Sequence, residues 1–214
     1  MELTWLGHHT FRLTQRGKAT VITDPYPPEE AGLKPLKARA DVVTLSRETE
    51  ATGPLKGLRG VKKVLSRPGE YEIGGVFIIG VQVRGPKGSD PLRDVRVVFA
   101  LDYEGITVAH LGGLHKVPAQ SEIEALGPVH VLLLPIGGNG SLKPAQAAEV
   151  ASLLEPNIVV PMGYTPQGKG RRALERFLKE MGVSSVEPRP SLKMSASSTP
   201  SGTQVVVLEP RLAK

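Results

Sequence analysis

Val129–Pro135 is apolar at every position but His130, too short to cross a bilayer and too hydrophobic to leave either face in water. A strand of this kind sits inside a sheet covered on both sides, which restricts the chain to a layered α/β fold. The pattern around it alternates. Pro144–Leu154 puts Ala147, Val150, Ala151 and Leu154 on one helical face. Ile158–Pro161 reads as another short buried strand. Arg171–Met181 reads as a helix burying Ala173, Leu174, Phe177, Leu178 and Met181, with Gly182 at its exit. Pro118–Leu126 is a shorter helix with Pro118 near its first turn. Val95–Leu101 and Ile106–His110 are strands joined by a turn at Glu104-Gly105.

The first half is different. Leu3–Leu6, Thr10–Leu13, Ala19–Thr23, Asp41–Leu45, Val61–Ser66 and Val76–Val83 read as short strands linked by turns, with Gly17-Lys18 making the first hairpin. Hairpins followed by strand–helix alternation predict an α/β fold of αββα sandwich type, two mixed β-sheets face to face with helices outside. Residues 1–214 read as a single domain with pseudo-halves of about 1–85 and 95–214, parted by the polar break Arg84–Arg93. Leu192–Ala196 and Gln204–Leu208 are expected to close the chain as a hairpin around Pro200-Ser-Gly202.

Composition removes several classes of chemistry. There is no cysteine, so disulfides, thiolate catalysis and Cys-ligated metal centres are excluded. No apolar run reaches the ~18 residues of a membrane span. The N-terminus lacks the basic start and apolar core of a secretory signal, which favours a cytoplasmic protein. Two Asn, 19 Pro and no Cys fit a thermostable chain. The net charge of +6 gathers in Lys56–Lys63 and Lys169–Arg176, but these clusters lack aromatics and any nucleic-acid motif. A solvated basic surface is the simpler reading, and nucleic-acid binding is the weakest.

Seven landmarks occur in order: Trp5-Leu-Gly-His-His-Thr-Phe11, Thr23-Asp-Pro-Tyr26, Ala40-Asp-Val-Val-Thr-Leu-Ser46, Pro68-Gly-Glu-Tyr-Glu-Ile-Gly-Gly75, His110-Leu-Gly112, Leu134-Pro-Ile-Gly-Gly138 and Val160-Pro-Met162. Together they resemble the metallo-β-lactamase superfamily, in the branch that includes the L-ascorbate-6-phosphate lactonase and related small metal-dependent hydrolases. The likeness runs from about Glu2 to Tyr164. It implies an active site along one edge, where the two halves meet, and a tendency to self-associate, so a homo-oligomer is expected.

The ligands that the resemblance implies are missing. Its His-x-His-x-Asp-His loop falls on Arg47, Thr49, Ala51 and Thr52, and the following His has no counterpart after Val83. Its bridging carboxylate falls on Gly113 and its last His on Gly163. Two zinc ions need several donors converging at ~2.0–2.2 Å, and glycine and alanine donate nothing. Arg47 sets a permanent positive charge where a dication would sit. No metal ligand can be carried over, and the expected cofactor is none.

What remains is polar. Arg47, Thr49, Thr52, Gly113, Gly163, Asp24 and His110 are expected to line a cationic pocket that could take a small anionic ligand. His8 should lie near the active-site edge, most simply as a loop-fixing hydrogen-bonder, while His9 should point elsewhere if the segment is extended. His110 is expected to support its loop, and Asp24 to hold backbone. His130 is a strand histidine. His115 is the best replacement acid, base or ligand, with Glu48 and His8 as further candidates. The leading expectation is a catalytically degenerate binding or interaction scaffold. The alternative is a hydrolase with a rearranged mononuclear metal site or metal-free acid–base chemistry around His115.

Overall fold

The computed structural model describes residues 1–26, 36–47, 55, 57–83, 85, 96–137 and 141–211. Its strands run β1 (Glu2–Gly7), β2 (Thr10–Thr14), β3 (Val21–Thr23), β4 (Ala38–Arg39), β5 (Val42–Thr44), β6 (Leu58–Arg59), β7 (Lys63–Leu65), β8 (Gly69–Ile73) and β9 (Val76–Val83). The chain continues through β10 (Arg96–Asp102), β11 (Thr107–His110), helix α1 (Gln120–Glu124), β12 (Val131–Pro135), α2 (Pro144–Leu154), β13 (Ile158–Met162) and α3 (Gly168–Glu180). Two short strands close it, β14 (Leu192–Lys193) and β15 (Gln204–Val205).

Two mixed sheets result. The first has the order β14-β1-β2-β3-β5-β7 and the second β15-β13-β12-β11-β10-β9-β8, with β4 and β6 as a separate pair. The apolar run lies where its composition requires: β12 is buried at every position between parallel neighbours β11 and β13. Helix α2 turns Ala147, Val150 and Ala151 onto the core, and its left-handed exit falls on Glu155 at φ 44°. Trp5, Phe11, Phe99 and Tyr103 fill the space between the sheets, each 1% exposed or less. Leu6, Ile22, Tyr26, Leu36, Ala40, Val43 and Leu45 form a second cluster beside the first sheet. Arrangement and layers are those of the sandwich expected from the pattern.

Three expectations need correction. The closing hairpin does not form: β14 pairs with β1 in the first sheet, while β15 lies parallel to β13 in the second. Both sheets have an open edge there, and Leu192, Met194, Val206 and Leu208, in or beside these strands, are buried in the same core. The break at 84–93 does not separate the sheets, because β8 and β9 join the second and β14 returns to the first. The third is a strand the pattern left out. Glu70, Tyr71 and Glu72 sit on β8, paired with β9 through a two-residue turn in which Gly74 (φ 56°) and Gly75 (φ 71°) are both left-handed.

Candidate functional site

The loops after β1, β3, β5, β11 and β13 meet at one edge of the sandwich and are tied together by backbone. Asp24 N donates to Thr44 O, Val97 N to Ser46 O, and Gly163 N to His8 O at 3.0 Å. The last bond crosses between sheets, as does the packing of Trp5 on Tyr164 with ring centroids 5.1 Å apart.

At the bottom lies a sealed polar cluster. Asp24 is 6% exposed and Ser46 3%. The Asp24 carboxylate accepts from Ser46 N (2.6 Å) and from Ser46 Oγ (2.5 Å). Burial raises the Asp24 pKa to about 6, opposed by those two hydrogen bonds and by the Arg47 charge. Gly112 caps the pair at φ 53°. A methyl there would meet the Ser46 side chain in hard contact, so the glycine serves both the left-handed turn and the close approach. His110, fully buried, hydrogen-bonds through Nε2 to His9 O at 2.8 Å, and burial lowers its pKa to about 4. Asp24 and His110, expected as pocket lining, are both buried and hold loops through these bonds.

His8 and His9 exchange their expected roles. The β1–β2 register slips between Trp5 and Gly7, and His8 takes a left-handed φ of 47°, so the segment is not extended. His8 gives its carbonyl to Trp5 Nε1 and to Gly163 N, and its ring faces Tyr26 at 6.0 Å. His9 is the residue that enters the site. A methyl placed on Gly163 would lie 2.5 Å from His9 Nε2, and one on Gly113 would lie 3.5 Å from His9 Cε1. The imidazole thus occupies the space between the two positions where the resemblance places metal ligands. Its Nε2 is sealed from solvent without a hydrogen-bond partner. Burial first, then His110, His8 and Arg47, lower its pKa to about 3, so the ring is neutral at neutral pH.

The buried cation also differs from expectation. Arg47, three residues past the end of β5 at Thr44, is exposed. Arg96, which the sequence reading passed over, is 8% exposed at the start of β10 opposite Val83. Its Nη1 would stand 3.1 Å from a methyl on Gly113, and its Nε has no hydrogen-bond partner. His115 is half-buried in the loop after β11. His130 accepts from Thr107 N at Nδ1 and is structural. Thr49, Thr52 and Glu48 lie outside the described residues.

A β-lactamase superfamily domain model matches residues 2–163. The chain belongs to the metallo-β-lactamase superfamily. Among its relatives is the UPF0173 protein of Pyrococcus furiosus, 28% identical over 202 residues that cover 85% of this chain and 90% of the relative. A UPF0173 metal-dependent hydrolase of Methanoculleus marisnigri is 29% identical over 202 residues, covering 83% and 87%. A solved structure from Thermotoga maritima, named for zinc-dependent hydrolysis in this superfamily, superposes with a TM-score of 0.75 at 34% identity over 97% of each chain.

These names overturn two expectations. A catalytically degenerate scaffold is not what the superfamily relatives point to: they are named as hydrolases along nearly their whole length. Nor is an absent cofactor, since the same names carry a metal. Both expectations rested on reading lost ligand positions as lost chemistry, although hydrolysis needs only an activated water and a stabilised oxyanion. The described residues nevertheless do not complete a metal centre. No three of His, Asp or Glu gather among them. His9 offers one imidazole nitrogen, and the Arg96 guanidinium lies beside Gly113, where the resemblance led us to expect the bridging carboxylate.

Placing at Gly163 the histidine that the resemblance led us to expect has a defined cost. Gly163→His meets a φ of 74° and the His9 ring at once. Loss of about 2–3 kcal/mol is expected, seen as a thermal midpoint lower by about 4–10 °C. Adding His9→Ala should remove the part due to collision and leave the part due to backbone strain.

Proposed function

We propose that this chain is a hydrolase of the metallo-β-lactamase superfamily, acting on an ester-like bond of a small molecule at the edge formed by the β1–β2 turn, the loop after β11 and Gly163. One observation carries the reading: the unpartnered, neutral His9 Nε2 stands between Gly113 and Gly163. A neutral imidazole is the form that can take a hydrogen bond from an attacking water or donate a lone pair to a metal. His110 and Gly163 hold the His8–His9 backbone from two sides. His9 as a whole is half-buried, with Nε2 on its covered side. A cytoplasmic location goes with this reading. Among the described residues no helix is long and apolar enough to cross a membrane.

Turnover of lactone, phosphoester and carboxylic ester substrates, measured with a chelator and with added Zn²⁺ or Mn²⁺, tests it. Activity toward at least one class is expected, and His9→Ala should lower kcat/KM by about 10²-fold or more. His115→Ala should have a smaller effect. No turnover under any of these conditions would sink the proposal. Loss confined to His115→Ala would move the chemistry to the loop after β11.

A further inference from the structure

Two exposed surfaces of opposite charge find no match within the chain. One is helix α3. Phe177 and Leu178 are buried on its inner side, while Lys169, Arg172, Arg176 and Lys179 recur at i, i+3, i+7 and i+10 on the outer side, all exposed. Arg171 pairs with Glu175 at 3.0 Å. Among the described residues none of the other four cations meets a carboxylate. The second surface is the outer face of β8, β9 and β10. Strand register sets Glu72, Phe77 and Asp102 in one row and Glu70 with Ile79 in the next. Ile78 and Leu101, fully buried on the other face, confirm that the row points outward. Phe77 is 41% exposed, and Glu70 and Glu72 beside it have no ion partner among the described residues. An aromatic ring flanked by carboxylates suits a guanidinium or ammonium group.

We propose that these surfaces bind each other between two copies of this chain, α3 of one copy lying on the β8–β10 face of the other. The spacings agree. Arg172 and Arg176 are about 6 Å apart along the helix, and Glu70 and Glu72 about 6.8 Å apart along the strand, so two ion pairs form in register beside Phe77. The ring receives the stem of an arginine and leaves water. Both surfaces lie outside the second sheet: α3 packs on α2, which packs on β12, and the acidic face is at the β8 end. A two-fold axis along the strands brings each α3 over the other copy's acidic face, so the contact forms twice. A second copy supplies both halves of the match. A polyanion would satisfy α3 alone and leave Phe77 and its carboxylates in water.

Sedimentation of the full chain at low and high salt provides the test. Dimers are expected in about 20 mM NaCl, with the dissociation constant rising at least about tenfold in about 500 mM, where the screening length falls to about 4 Å. Arg172→Glu combined with Arg176→Glu should raise it by about 30-fold or more, and Glu70→Lys combined with Glu72→Lys should do the same. All four positions are exposed, so both variants are expected to fold, with thermal melts as the check. Mixed one to one, the two reversed variants should recover the dimer. The reversed surfaces then carry opposite charges, and the two unaltered surfaces meet as before. A monomer in low salt would overturn the proposal, as would a dimer that neither reversal weakens or a mixture that fails to recover. A monomer whose α3 instead binds single-stranded DNA would assign the stripe to nucleic acid and overturn it equally.

Discussion

Asp24→Ala should lower the unfolding free energy by about 3–4 kcal/mol and the thermal midpoint by about 6–14 °C. The carboxylate is the acceptor for both the backbone N–H and the hydroxyl of Ser46, and all three groups are buried. Truncation leaves two donors without water or partner, each costing about 1–3 kcal/mol. Asp24→Asn keeps the shape and one acceptor oxygen, and rotation of the Ser46 hydroxyl lets it accept from the new amide. That variant should lose only about 1 kcal/mol. Denaturant melts of both would check this. Equal, small losses would mean that the turn under Gly112 is held by packing alone.

Acid should destabilise the fold well before its surface carboxylates titrate. His9 and His110 have pKa values lowered to about 3 and about 4 from an ordinary 6.5, so both are neutral in the folded chain between pH 4 and 6 while the unfolded chain binds two protons there. Their contribution is complete above pH 6.5 and is lost as pH falls. Asp24 acts oppositely. Its pKa is raised to about 6, so the folded chain holds a proton that the unfolded chain releases above about 4, and this contribution fades as pH rises to 6. The unfolded chain thus binds a net one proton more. Stability should fall by about 1.4 kcal/mol per pH unit, or about 3 kcal/mol from pH 6 to pH 4. His9→Gln removes one of the two histidine terms and should leave the profile nearly flat over that range. Urea melts at each pH measure it, and an unchanged slope in His9→Gln would show that the ring is solvated and charged in the fold.

The sandwich was legible because its signals are local. Continuous burial of Val131–Pro135, the helical spacing of Ala147, Val150 and Ala151, and the strand at Val76–Val83 each follow from residue pattern alone. The strand at Gly69–Ile73 was legible too, since Gly74-Gly75 is a two-residue hairpin turn, but its charged, half-exposed alternation hid it. The closing strands were not. Leu192–Lys193 and Gln204–Val205 flank a plausible turn, and only the open edges of two distant sheets decide where each pairs. Candidate site residues divide the same way. Asp24 was read as holding backbone and His110, through the resemblance, as supporting its loop, although both were also expected to line the pocket; in the structure each is buried and bonded to backbone. Arg47 was assigned to the pocket because the resemblance sets it at a ligand position, and in the structure it is exposed.

By itself the sequence determined the layered fold and set glycine at positions 113 and 163, because periodicity and residue identity are properties of short segments. Tertiary structure alone decided what fills the space. A register slip after Trp5 turns His9, not His8, toward Gly163, and the pairing of β10 with β9 sets Arg96 beneath Gly113. Neither direction is encoded near the residue itself: a side chain's heading follows from backbone twist and strand register, which long-range pairing fixes.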